Sequence, residues 1–310
     1  MTSAARTRLT QNNRNGVDMN LSIGINPISW TNDDLQYVGG HISLETCLSE
    51  AAGAGYDGVE LGHKFPRDAA VLRSVLAQHN LSLVSGWYSG QLISRDSDSE
   101  IAAMADHADL LQAMGCGVLI FAEVSGCIHD SKDTRLSQRP RLRADQWSLF
   151  GRRLTEVGKA AADKGLKLCY HHHMGTVVQT GADIDALMNE TGDDVYLLLD
   201  SGHAMFAGAD PVKLAQQYAD RIGHVHCKDI RKAVMDQCLN RDCSFLDAVL
   251  NGVFTVPGDG CIDYAGLFAA LDNVSYSGWA VVEAEQDASV ANPLAYARLG
   301  YANLSALLKG

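Results

Sequence analysis

Polar side chains gather at four places where apolar runs stop: His171 and His173 after "LKLCY", Asp200 and His203 after "VYLLL", His226 and Lys228 within "GHVHCKD", and Glu283 and Glu285 after "WAVV". Imidazoles and carboxylates together serve two chemistries. They hold a divalent ion through mixed nitrogen and oxygen donors, for which manganese, cobalt, zinc and magnesium are suited, and they move protons on and off carbon and oxygen. Strand residues two apart share a face, so His171 with His173, His224 with His226 and Lys228, and Glu283 with Glu285 each form one inward-facing set. The middle residue of the "HHH" run, His172, is then expected to face outward, and Gly175 to let the chain turn away. A single histidine in an apolar strand is more often a hydrogen-bonded core residue than a ligand. Repetition of the feature at the same depth in four strands is what shifts the balance towards a site.

For such strand ends to converge, the strands must be neighbours in one sheet. Apolar runs at 21–29, 58–62, 81–88, 117–124, 166–173, 195–203, 222–230 and 278–286 alternate with stretches of helical period at 43–54, 67–79, 97–114, 144–164, 182–191, 211–220, 264–272 and 293–308. Eight strand–helix units predict an α/β fold of one domain, a TIM (β/α)8 barrel. Two longer connections, 125–143 and 231–258, follow strands and so belong to the C-terminal rim, where substrate loops sit. A two-domain dinucleotide-binding fold would need a glycine-rich phosphate loop after its first strand, and "GINPISW" does not supply one.

Composition narrows the partners. With 46% hydrophobic and 20% charged residues in 310, the chain has ample material for a large core. A net charge of -12 works against nucleic acid, whose phosphates need clustered Lys and Arg. No apolar run is long enough to span a membrane, and the eight cysteines form no CxxC pair, which fits a reduced, cytoplasmic protein. Residues 1–18 read as a disordered leader before a catalytic domain at 19–310. The expected partner is a small molecule, with a homo-oligomer left open. Glu123, at the end of the fourth strand, is a further acid/base candidate. Trp30, Trp87 and Tyr88, at the ends of the first and third strands, are candidates to wall a polyol pocket, with plain core packing as the alternative.

In this order, "INPISWTNDD", "YHHHMGTVVQT", "LLLDSGHA", "GHVHCKD", "FTVPGDGCIDY" and "VVEAEQDASVANPL" resemble the inosose dehydratase family of the xylose-isomerase-like TIM barrel superfamily, from about Ile23 to the C-terminus. "LDSGH" and "HVHCKD" are shared with the wider superfamily; "INPISWTNDD", "YHHHMGT" and "VEAEQD" are specific to the dehydratases. The resemblance implies a divalent metal, manganese or cobalt, held at the ends of the fifth to eighth strands by Glu, Asp, His and Glu. Those positions fall on His171, Asp200, His226 and Glu283, so an imidazole stands in the first place, with His173 as its rival. It also implies dehydration of 2-keto-myo-inositol (scyllo-inosose) to a trihydroxycyclohexane-1,2-dione, and an association with glutathione. His173, His203, Lys228, Glu123 and Glu285 are then the candidates for acid/base work, and Lys228 also for holding substrate. A keto-sugar epimerase or isomerase, and a sugar-binding barrel without activity, are the alternative readings.

Overall fold

A computed structural model of the protein describes residue 19 and residues 21–308; the expected leader at 1–18 lies outside the described residues. Eight strands, β1 (Ser22–Ile25), β2 (Gly58–Leu61), β3 (Ser82–Gly90), β4 (Val118–Glu123), β5 (Lys167–His171), β6 (Val195–Asp200), β7 (Ile222–Cys227) and β10 (Trp279–Val282), close into a barrel in the order β1-β10-β7-β6-β5-β4-β3-β2. Every neighbouring pair is parallel. The barrel is the (β/α)8 architecture expected from the alternation of apolar runs.

Helices α1 (Leu44–Ala54), α2 (Ala69–Ala77), α3 (Ser97–Met114), α4 (Trp147–Ala162), α5 (Gly181–Glu190), α7 (Pro211–Tyr218), α10 (Tyr264–Asp272) and α11 (Pro293–Leu308) alternate with the barrel strands. Their starts are local chemistry. Ser43, Asp68, Asp96, Thr180, Asp210 and Asp263 each accept a backbone N–H of the first turn, satisfying donors that the helix itself cannot pair. Gly55 and Gly115 end α1 and α3 at φ of 108° and 78°, a left-handed conformation that costs glycine nothing.

Strand alternation decides which side chains look inward. Val118, Ile120, Cys169 and Leu198, with Trp87 and Tyr196, form a separate apolar cluster that plugs the barrel interior. Counting in twos from these anchors turns His171, His173 and Asp200 inward and Tyr88, Glu123 and His172 outward.

β6 and β7 are among the strands that are shorter than their apolar runs. β6 stops at Asp200 because the Asp200 carboxylate accepts the His203 N–H at 2.8 Å and starts a short helix, α6 (Ser201–Phe206). β7 stops at Cys227, and the chain continues into β8 (Asp229–Ile230), which pairs antiparallel with β9 (Phe254–Thr255). The rim connection at 231–258 also carries α8 (Lys232–Arg241) and α9 (Phe245–Leu250). The connection at 125–143 leans on it through Leu136 N–H to the Cys243 carbonyl at 3.1 Å.

Candidate metal and acid–base site

At the C-terminal ends of β6, β7 and β10, one donor atom each from Asp200, His226 and Glu283 lies within 4.8 Å of the others. His226 Nδ1 is 2.7 Å from Glu283 Oε2 and 3.5 Å from Asp200 Oδ2, yet neither oxygen lies where a ring N–H would make a hydrogen bond, so the atom is buried without one. Its other nitrogen, Nε2, meets Glu60 Oε1 at 3.1 Å, which places a proton there and turns the Nδ1 lone pair towards the two carboxylates. Burial works against charge on His226, but Glu60 and Glu283 outweigh it and raise its pKa well above the usual imidazole range. The surroundings therefore call for positive charge at this point. One nitrogen and two carboxylate oxygens converging there fit a divalent cation of the borderline or hard class.

His171 and His173 both project to the cavity, which encloses about 220 Å³ and is also lined by Asn26, Trp87 and Glu285. His171 Nε2 lies 3.4 Å from Asp200 Oδ2, in a neighbouring donor group with Asp200 and His203, and its Nδ1 is buried without a hydrogen bond. His173 Nδ1 lies 2.7 Å from the Met174 carbonyl, an acceptor that requires the ring proton on Nδ1 and leaves Nε2 free to receive one. Burial, with His129, His171 and Lys228 adding, lowers its pKa well below the ordinary value, so the ring is neutral. His172 points the other way: fully buried, its Nε2 accepts the Asp200 N–H at 3.3 Å.

Lys228 stands behind this wall. Its Nζ is 2.6 Å from Glu283, 3.3 Å from Glu285 and 3.0 Å from His203 Nε2, and it sits 4.6 Å above the Phe254 ring. Burial works to lower its pKa, and Glu283, Asp200 and Glu285 more than reverse that, so it stays an ammonium. Lys228 and His203 do not line the cavity. Their reach to the reacting atoms runs through Glu283, Glu285 and His173.

Three contributors escape the sequence patterns. Glu60, alone between apolar neighbours on β2, accepts from His224 at 2.9 Å, His226 at 3.1 Å, Ser85 at 2.6 Å and Asn26 at 2.7 Å. Burial favours its neutral form, but His226 and His224 overcome this and hold the carboxyl ionised. An acid on an otherwise apolar short strand was the one available signal. Asp34 and His129, on the loops after β1 and β4, also line the cavity. A Glu60→Gln variant should lose roughly 10- to 100-fold in metal affinity while folding normally, because the amide no longer fixes the His226 ring; titration of the purified variant with metal ions measures this.

Three further candidates, Glu123, Trp30 and Tyr88, are not brought to the cavity. Glu123 turns away from the barrel axis and accepts the Leu92 N–H at 2.6 Å and the Ser125 N–H at 3.0 Å, tying two rim loops together. Trp30 is buried, with its indole N–H on Glu50 at 2.6 Å. Tyr88 donates to Glu100 on α3 at 2.6 Å. Of the expected aromatic wall only Trp87 remains, edge-on to His171 and His173 at 5.2 and 5.8 Å. Tyr88→Phe should accordingly leave kcat and KM within about twofold and cost about 1 kcal/mol of stability, the worth of one hydrogen bond; steady-state kinetics beside a denaturant titration separates the two.

The family model of the xylose isomerase-like TIM barrel matches residues 48–306. The rhizopine catabolism protein MocC of Rhizobium meliloti is 48% identical over 287 residues, 93% of this chain and 88% of the relative. An inosose dehydratase of Geobacillus thermodenitrificans is 44% identical over 279 residues, 89% of this chain and 94% of the relative. Among solved structures, the IOLI protein with a bound zinc atom superposes with a TM-score of 0.67 at 16% identity, covering 93% of this chain and 98% of that one. No helix among the described residues is long and apolar enough to cross a membrane. Since identity of 48% and 44% runs along nearly the whole chain, common descent and not fold alone accounts for the match: the chain belongs to the xylose isomerase-like TIM barrel family, in the group of the inosose dehydratases.

Proposed function

We propose that the protein is a metal-dependent hydro-lyase that removes water from 2-keto-myo-inositol to give a trihydroxycyclohexane-1,2-dione. The observation that carries the chemistry is a neutral His173 with its proton fixed on Nδ1, facing the same cavity as His226 and Glu283, whose donor atoms gather with that of the buried Asp200. The inosose dehydratases among its relatives supply the substrate class. Asp200, His226 and Glu283 would hold the ion, with His171 beside them, and mixed nitrogen and oxygen donors suit manganese or cobalt.

Taking a proton from the carbon beside a ketone places negative charge on the carbonyl oxygen. A bound divalent ion supplies positive charge there. His173 Nε2 is the base that receives the proton. Its backbone hydrogen bond keeps the tautomer correct between turnovers. Glu60 holds His226, and Lys228 holds Glu283 and Glu285, so that neither the donors nor the floor of the cavity must reorganise as charge develops. Trp87, Phe245 and Phe254 keep the histidines away from bulk water.

Incubation of the protein with manganese and scyllo-inosose, followed by ultraviolet absorbance, tests the reading: loss of water produces a conjugated enol or dione and a rising absorbance. An epimerase would exchange the same proton and return it to the other face, without a chromophore. Exhaustive chelation should abolish turnover, and added manganese or cobalt should restore it; full activity with no metal by elemental analysis would remove the ion from the reading.

A further inference from the structure

Dehydration needs a second proton transfer, because a hydroxyl leaves poorly unless it departs as water. His173 accounts for the base. Asp200, His226 and Glu283 are committed to a cation, Glu285 is engaged by Lys228 at 3.3 Å and Asn32 at 3.5 Å, and Lys228 is fully buried behind them. We infer that Asp34 and His129, across the cavity mouth, form the acid that protonates the departing hydroxyl. The inference rests on the dehydration reading above.

The two side chains come from different loops and meet only in the folded protein. His129 Nε2 lies 3.8 Å from Asp34 Oδ1, with side-chain exposures of 12% and 24%. The His129 ring stands edge-on to His173 at 5.2 Å, so base and proposed acid lie at one end of the same cavity. Neither side chain has a structural task among the described residues. Asp34 enters the local turn through its backbone N–H, which bonds to Asn32 Oδ1 at 2.8 Å, while its carboxylate caps nothing. The His129 Nδ1 is buried with no hydrogen-bond partner, a cost that a folded protein rarely bears without a reason.

Their surroundings shift both proton affinities. Burial first, then Asp33 and Asp130, raise Asp34 to about 6 against an opposing pull from Lys228. Burial lowers His129, with Asp130 and Glu285 resisting. A carboxyl raised into this range and set beside an imidazole can hold a proton and release it to a third oxygen in the cavity.

The position is also built. Ile128 N–H bonds to the Gly175 carbonyl at 2.9 Å, and a Cβ on Gly175 would come 3.0 Å from the His129 nitrogen, at a φ of 81° that already favours glycine. The glycine that ends the histidine run therefore seats the loop bearing His129 directly over it. On the other side, Asn32 reaches Glu285 at 3.5 Å, tying the loop of Asp34 to the segment that follows β10.

Atoms and electrons balance as follows. His173 takes a proton from carbon, the C–H pair becomes the C=C bond, and the C–O pair leaves with the β-oxygen. That oxygen takes the proton held by Asp34 and His129 and departs as water. The enol then tautomerises to the dione, and solvent carries a proton from His173 back to the pair.

Asp34→Asn and His129→Gln, singly and together, are compared with wild type on scyllo-inosose and on an analogue with fluorine in place of the departing hydroxyl. Dehydration should fall at least about a hundredfold in each variant, with the double variant no worse than the worse single. Fluoride release, which needs little protonation, should fall less than about fivefold, and exchange of the carbon-bound proton in deuterium oxide should persist. Equal losses on both substrates, or unchanged dehydration in either variant with wild type active, would overturn the assignment. A wild type that exchanges the proton but releases no water overturns the dehydratase reading itself, and the acid with it.

Discussion

Alanine at Asp200, His226 or Glu283 is expected to remove the metal and to lower turnover by more than the roughly 10- to 100-fold that loss of an outer partner costs. Each residue contributes one of three donor atoms gathered within 4.8 Å, so the remaining pair cannot close around an ion. Removing one also leaves the others unbalanced: without Glu283 or Asp200, Lys228 loses an acid that keeps it charged. The three variants should differ in stability. Asp200 also caps α6 through the His203 N–H, so Asp200→Ala adds the loss of a cap, about 1 kcal/mol, which Asp200→Asn should largely restore. Elemental analysis beside kcat and Tm separates these effects, and a variant keeping wild-type metal content and turnover would remove its residue from the donor set.

The histidine run should respond to mutation in alternation. His173→Ala is expected to lower kcat about a hundredfold or more with little change in KM, because it deletes the base and not a binding contact. His172→Ala should act on stability, by about 2–4 kcal/mol, since it opens a buried hole and strips the Asp200 N–H of its acceptor. Burial, with His171 and His226 adding, depresses the His172 pKa to about 3. The unfolded chain, with an ordinary imidazole near 6.5, then binds the proton more readily than the folded one. Stability contributed by neutral His172 is complete above pH 6.5 and is lost as pH falls towards 3, at up to about 1.4 kcal/mol per pH unit. Thermal melts between pH 8 and pH 5 should therefore show a shallower acid decline in His172→Ala than in wild type. An inactive His172→Ala beside a fully active His173→Ala would mean that the strand faces the opposite way.

The barrel was legible because its strands are apolar runs, six of them set off from a helix by a capping Asp, Ser or Thr, a pattern carried by neighbouring residues. Inward pairs were legible for a related reason: alternation converts spacing in sequence into a face in space, as with Glu283 and Glu285. The same rule, counted from Ile120, sends Glu123 outward; its polarity alone suggested the cavity, while its task is to hold two loops. His203 was attached to a strand that in fact ends at Asp200, because capping of α6 by that aspartate competes with continued sheet pairing and wins. Glu60 has no second acid on its strand to mark it. Asp34 and His129 are 95 positions apart on loops, and only the closed barrel brings them together; no local pattern encodes such a meeting.

Phe245 packs on His173 and His203 at ring separations of 5.0 and 5.8 Å, and Phe254 packs on His203 at 5.2 Å. Both come from the 231–258 connection, whereas Asp200, His226 and Glu283 belong to the strands or their immediate ends. The architecture thus separates an inherited chassis from an exchangeable cassette. Trading the cassette would rewet His173 and His203 and reset their basicity while leaving Asp200, His226 and Glu283 where they stand. Divergence of reaction within such a barrel has a low-cost route through that single insertion, and chimaeras that swap residues 231–258 between relatives should change the chemistry before they change metal content.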